Sequence, residues 1–309
     1  MMKKINDIIG DAKTIGIAGH VRPDGDCMGS CMSLYNYLKK NRPDLDVRVF
    51  LEFVDKKFNI IENTDQIITT GYDGTKFDLF ISLDTASLDR LGLNLPFYEN
   101  AKRTACIDHH ASNDGYADYN YILPKASSAS EVLYDLLDED LIDKSIAEPM
   151  YMGIAHDSGV FRFQSTTPKT MRIAANMIEK GVNVNMILEE TFFRKTYNQM
   201  MVTAKIQSEA VLALDGKCIY GYCTSEMMEE YGVTTKDLDA VVASIRNVDG
   251  VEVAMFLYQL SEDSYKVSLR SKNYVDVSKI AVENGGGGHV RAAGAEIHGE
   301  LNDIINKLL

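Results

Sequence analysis

Three short apolar runs in the first half of the chain, TIGIAGH (14–20), FDLFISLD (77–84) and RTACIDHH (103–110), all break off in an acid or an imidazole. Runs of this length, bounded by small or polar residues, read as buried strands. A further run, VRVFLE (47–52), and the helical patterns SSASEVLYDLL and IAEPMYMGIAHDSG continue an alternation of strand and helix to about residue 190. That alternation predicts βα units around a mostly parallel sheet. The polar strand ends, His20, Asp84 and Asp108-His109-His110, then gather along one edge. In open α/β sheets this edge, at the carboxyl ends of the strands, is where ligands bind.

The first of these ends leads into VRPDGDCMGS (21–30). His20 and Asp24 have helical spacing, but Pro23 and Gly25 between them predict a loop. Beyond it Met28, Cys31, Met32, Tyr35 and Leu38 recur at helical spacing, with Asp26 as the expected N-cap. Taken alone, two aspartates around a glycine are explained equally well by ordinary turn chemistry beside a surface histidine.

Residues 165–209 lack strand signals and read as helices that bridge two domains. After them come KCIYGYCT, a helix through KDLDAVVASIRNV, the paired strands VEVAMFLYQLSED and SYKVSLRS, and GGGGHVRAAGAEI. This is the pattern of a separate α+β domain of plausible size. The expected division is 1–190, a helical linker over 191–210, and 211–309.

The 309 residues suffice for two domains with a sizeable core. No apolar stretch approaches the length of a membrane span, and the start has no signal-peptide pattern, so a cytoplasmic location without membrane attachment is expected. Five cysteines without finger spacing read as buried free thiols. A net charge of −13 repels a polyanion, which argues against long nucleic acid as a partner. A small phosphorylated ligand stays possible, because divalent cations reverse the sign of a site.

Asp157, in GIAHDSGVFRF, adds a further acid to those at the strand ends. Unpaired, so many carboxylates around one site repel each other, and divalent cations remove the conflict. Two histidines with several aspartates suit two mid-row divalent ions better than one structural zinc. Such a pair of ions predicts hydrolysis of a phosphate ester or anhydride. Near the other end, Gly285 to Gly288 are preceded by a helical pattern and followed by His289 and Arg291. Glycine amides approach a phosphate closely, so this segment reads as a binding element rather than a linker.

The ordered set GHVRPDGDCMGS, SLDTA, IDHHASN, GIAHDSGVFRF, VSLRS and GGGGHVRAAG resembles the DHH phosphoesterases of the DHHA1 subgroup over nearly the whole chain. The resemblance implies an α/β DHH domain, its mostly parallel sheet flanked by helices, followed by a smaller α+β DHHA1 domain. It implies His20, Asp24 and Asp84 as ligands of one metal, and Asp26, Asp84, His109 and Asp157 as ligands of another, most simply two Mn2+. His110 then faces the phosphate and Asp108 orients the site. Arg270, Ser271, Gly286, Gly287, Gly288 and His289 would hold the end of the substrate away from the scissile bond, with the two domains facing each other across a cleft. His156 departs from the pattern, standing where the family has threonine, and is expected to be neutral or to touch a ligand rather than to be one. His298 reads as a surface residue.

Within the family, the size and the GGGGH segment most resemble stand-alone nano-RNases that also dephosphorylate 3′-phosphoadenosine 5′-phosphate (pAp). The expected partners are short RNA oligonucleotides, including linear pApA, or phosphorylated adenosine nucleotides, and a homodimer is expected from the family alone. Hydrolysis of cyclic di-AMP is the rival activity, and a nucleotide sensor without catalysis is the rival of another class.

Overall fold

The computed structural model describes residues 4–238 and 241–309, with the side chain of His289 outside the description. The chain divides into two compact units, Met1–Arg194 and Lys195–Leu309.

In the first unit β1 (Thr14–Ala18), β2 (Asp46–Phe50), β3 (Leu79–Leu83), β4 (Thr104–Asp108) and β5 (Tyr119–Ile122) form one sheet, in the order β2-β1-β3-β4-β5. Every pairing is parallel. Its helices are α1 (Ile5–Ile9), α2 (Gly25–Asn41), α3 (Leu95–Glu99), α4 (Ala129–Leu136), α5 (Lys144–Asp157), α6 (Pro168–Glu179) and α7 (Val184–Leu188). The central strand β3 is buried throughout. Leu79, Ile81 and Leu83 join the large core with α2, α4 and α5, whereas Phe80 faces an aromatic cluster with Phe50, Phe77 and Phe97. Alternate residues thus feed two cores, as in parallel sheets covered on both faces. Because the strands are parallel, their carboxyl ends lie on one edge.

Helices α2 and α5 run antiparallel in close contact. A side chain on Gly29 would fall 2.4 Å from the Pro149 carbonyl oxygen and 2.9 Å from Gly153 Cα. The hydroxyl of Ser33 donates to Ile146 O at 3.2 Å, and Asn36 Nδ2 donates to Ser145 O at 2.8 Å. This register sets the start of α2 beside the end of α5. Asp24 and Asp26 thereby meet His156 and Asp157, more than a hundred residues away in the chain.

The second unit has a mixed six-stranded sheet, β10-β11-β9-β8-β7-β6. Its strands are β6 (Val211–Ala213), β7 (Cys218–Cys223), β8 (Val253–Ser261), β9 (Ser264–Ser271), β10 (Gly287–His289) and β11 (Ala292–His298). Its helices are α8 (Tyr197–Glu209), α9 (Ser225–Tyr231), α10 (Val241–Ile245), α11 (Val277–Glu283) and α12 (Leu301–Leu308). Among the described residues of this unit, only β7 and β8 pair in parallel. Helix α8, within the segment expected as a linker, buries Val202 and Ile206 against Ile219 and Phe256 of this unit. All five cysteines are free and buried, and His298 is exposed. Among the described residues no helix is long and apolar enough to cross a membrane.

Candidate active site

The turn after β1 differs from expectation in one respect. Asp24, not Asp26, caps α2: its Oδ1 accepts from the Asp26 and Cys27 amides at 3.0 and 3.1 Å. Both acids have N-cap chemistry, and the one whose carboxylate reaches two orphan amides takes the place. Asp26 therefore lies inside the first turn and is fully buried. Its oxygens accept from Ala129 N at 2.6 Å and Ser130 N at 3.0 Å, the first amides of α4. One acid thus ties two helix starts together.

Around Asp84 the strand ends converge. The backbone turns left-handed there, with φ at +52°, a conformation that aspartate tolerates better than most residues. His20 Nε2 lies 3.5 Å from Asp84 Oδ2 and 3.8 Å from Asp24 Oδ1. His109 Nε2 lies 3.4 Å from Asp84 Oδ1 and 3.1 Å from Asp157 Oδ2. His20 Nδ1 donates to the Val21 carbonyl at 2.8 Å, since that oxygen only accepts. The Nε2 face of the ring is thereby turned to the acids.

Beside this group stands an ordered chain of hydrogen bonds. His110 Nδ1 is 2.8 Å from Oδ1 of the fully buried Asp108, whose Oδ2 accepts from Asn113 Nδ2 at 2.7 Å. Asn113 also donates to Thr85 O at 3.1 Å, which fixes its amide. Asp108 thus holds the orientation of His110. Burial favours the neutral form of both, but their mutual bond outweighs it, holding Asp108 below the usual carboxylate range and raising His110.

Three groups of side chains bring possible ligand atoms within 4.8 Å of one another: His20, Asp24 and Asp84; Asp26, His109 and Asp157; and Asp84, His109 and His110. All six acids and imidazoles expected as metal ligands fall in these groups. His156 is in none of them. The electrostatics fit divalent cations. Burial, then Asp84 and Asp157, push Asp26 well above the usual range, while burial also raises Asp157 against the His109 bond. His20 and His109, although burial opposes their charge, are pushed up to about 12, His20 by Cys27 and the acids and His109 by Asp157 and Asp84. Both rings thus favour their charged form, so the site stabilises positive charge. Asp84 Oδ1 is buried without a hydrogen-bond partner, an exception that a bridging cation would satisfy.

Residues expected to bind substrate lie in the second unit. Arg270 sits at the end of β9, where its Nη1 donates to Leu269 O at 3.0 Å. Ser271 is buried, its hydroxyl 3.5 Å from Val290 O and 3.4 Å from Arg291 Nη1. Gly287 and Gly288 of the glycine run enter edge strand β10, and Gly285 and Gly286 precede it. A Cβ on Gly286 or Gly288 would come within 2.2 or 2.5 Å of the β11 backbone, so sheet packing demands both glycines. Gly287 has nothing within 4 Å of such a position, which leaves its face open. His289 Nδ1 and Nε2 belong to the side chain outside the described residues.

Sequence reasoning assigned no role to Asn113, although it closes the motif IDHHASN. It also did not foresee three successive left-handed residues after Asp157, Gly159, Val160 and Phe161, with φ between +56° and +61°. A β-branched valine there is a true outlier, held by its amide on Ala155 O at 2.7 Å and by Phe161 N on Ser158 Oγ at 3.0 Å.

Known proteins match this architecture. The DHH family N-terminal domain matches residues 14–154, and the DHHA1 domain matches residues 215–309. A bifunctional oligoribonuclease and PAP phosphatase of Thermus thermophilus is 32% identical over 306 residues, covering 96% of this chain and 88% of that protein. A protein of the same description from Bacillus subtilis is 28% identical over 290 residues, covering 92% and 90%. The crystal structure of an exopolyphosphatase-related protein from Bacteroides fragilis shares the fold, with a TM-score of 0.89 at 23% identity over 97% of this chain and 92% of that one. The chain belongs to the DHH family of phosphoesterases, with a DHH domain followed by a DHHA1 domain.

Proposed function

We propose that the chain is a two-metal phosphohydrolase that degrades short oligoribonucleotides, including linear pApA, to mononucleotides and removes the 3′-phosphate of pAp. His20, Asp24 and Asp84 would hold one cation, and Asp26, Asp84, His109 and Asp157 the other, with Asp84 shared. The observation that carries this reading is the buried Asp84 carboxylate between His20 and His109, one oxygen of which has no hydrogen-bond partner. Two divalent cations held there, for which Mn2+ is the proposed choice, would supply positive charge at the attacking and leaving oxygens of an in-line displacement.

The chain's own groups then have distinct tasks. Asp108 fixes His110 and favours its charged form, so that its ring can bind a phosphoryl oxygen as negative charge develops. In the second unit Arg270 binds a terminal phosphate, and the open face at Gly287 admits it close to the backbone. The described activities of the Thermus and Bacillus relatives support this substrate class.

The test is chromatography of products over time from Mn2+-loaded protein given pAp, pApA, a five-nucleotide RNA and cyclic di-AMP at equal concentration. AMP from pAp, and mononucleotides from the RNA, with cyclic di-AMP intact, is the expected result. Conversion of cyclic di-AMP through pApA at a comparable rate would replace this reading with second-messenger turnover. Binding without turnover of any substrate would make the chain a sensor.

A further inference from the structure

His156 is the one imidazole near the acids that joins no group of possible ligands among the described residues. Its ring lies against the Cα of Gly25, the residue between Asp24 and Asp26. A Cβ built on Gly25 would fall 2.1 Å from His156 Cγ and 2.3 Å from Nδ1, so the ring fits there only because residue 25 is glycine. On its other side Nε2 is 2.9 Å from Thr191 Oγ1. That hydroxyl donates to Ile187 O at 2.7 Å, so it accepts from His156, and Nε2 carries the proton. Thr191 is buried in a π-helical turn, Glu189–Phe193, a rare geometry that recurs at functional sites. Phe192 meets the ring edge-on at 5.3 Å and Phe58 at 5.9 Å. Four contacts therefore determine where the ring sits.

We infer that His156 is a positioning residue, which braces the Asp24–Asp26 turn against the end of α5 and uses the π turn as its outer support. This role rests on the two-cation reading of the site. Asp24 and Asp26 both face the charge of Asp84, so a turn free to relax would move them away from it and weaken metal binding. A ring wedged between Gly25 and Thr191 keeps the ligand set preorganised. Partners that orient metal ligands from outside typically contribute 10- to 100-fold in affinity.

The experiment is calorimetric titration of Mn2+ into metal-free wild type, His156→Ala, His156→Gln, Gly25→Ala and the Gly25→Ala/His156→Ala double variant, with circular dichroism melts of each. Wild type should bind two equivalents. His156→Ala should bind roughly 10-fold more weakly or worse, with little change in the metal-free melt. His156→Gln, whose amide reaches the Thr191 hydroxyl, should recover to within about threefold of wild type. Alanine at a helix start is intrinsically favourable, so weaker binding in Gly25→Ala isolates the clash with the ring. In the double variant the two losses should not add, because they share one cause. If His156→Ala does not fold, the glutamine and Gly25 variants decide. Wild-type affinity in His156→Ala, or in Gly25→Ala if the former is unfolded, would overturn the role alone. A wild-type protein that takes up no Mn2+ would overturn the two-cation reading and this role with it.

Discussion

Two buried carboxylates, Glu252 in the second unit and Asp84 in the first, are treated in opposite ways. Glu252 of the second unit is 3% exposed and surrounded by donors. It accepts from the amides of Asn273, Tyr274 and Val275 at 2.9, 2.7 and 3.0 Å, and from Asn273 Nδ2 at 3.2 Å. Burial alone would raise it, but these bonds outweigh burial and hold it below the usual range. Asp84 of the first unit is equally buried, yet its Oδ1 has no hydrogen-bond partner and only the longer ion-pair approach of imidazoles. It keeps its charge against burial through His109 and His20, at 3.4 and 3.5 Å. A carboxylate saturated with backbone amides is a knot that fixes a loop. One short of donors, beside other acids, is a place for a cation.

If that contrast is right, Asp84→Asn gives the largest effect, since it keeps the shape and removes the charge that the two proposed ligand sets would share. Hydrolysis of pAp should fall by about 10³-fold or more, equivalent to roughly 4 kcal/mol of barrier. Initial rates with saturating Mn2+ check this, and activity within tenfold of wild type would break the contrast. Next in size is the response to the metal itself. Mn2+ at a hundred times its dissociation constant should stabilise the folded protein by about 2.7 kcal/mol for each occupied site, and a chelator should reverse it. Thermal melts of wild type and Asp84→Asn read this directly. A shift in both, or in neither, would show that Asp84 is not where the cation is held.

The strand-end residues His20, Asp84, Asp108, His109 and His110 were legible because a buried parallel strand shows in sequence as an apolar run, and its polar end falls on its last residue or within two residues beyond it. Asp157 was legible only through the motif around it. The depth of Asp26 was not, since the amides it binds belong to Ala129 and Ser130, far along the chain. The same distance hid the contact of Gly29 with Pro149 and Gly153, which sets the register of α2 on α5. The strand pairing of Gly287 and Gly288 was not legible either: local composition reads as a binding element, and only the approach of β11 shows the sheet packing. Sequence names the groups at a site more readily than the backbone contacts that space them.

The smallest expected effect concerns Glu252→Gln, which sharpens the other side of the contrast. The substitution turns one acceptor oxygen into an NH2 group facing backbone N–H donors, and removes a charge that those donors stabilise. At pH 7 it should destabilise the second unit by about 1.5–3 kcal/mol, the range for hydrogen bonds to a charged group. The sign of its pH dependence follows from the depressed folded-state pKa. The stabilisation is fully present above the unfolded glutamate value, near 4.3, and is lost as pH falls through the lower folded value. Urea denaturation of both proteins from pH 7 to pH 3 should therefore give curves that converge in acid. A difference independent of pH would mean that Glu252 acts through shape rather than charge, and the two buried carboxylates would then differ in more than their donors.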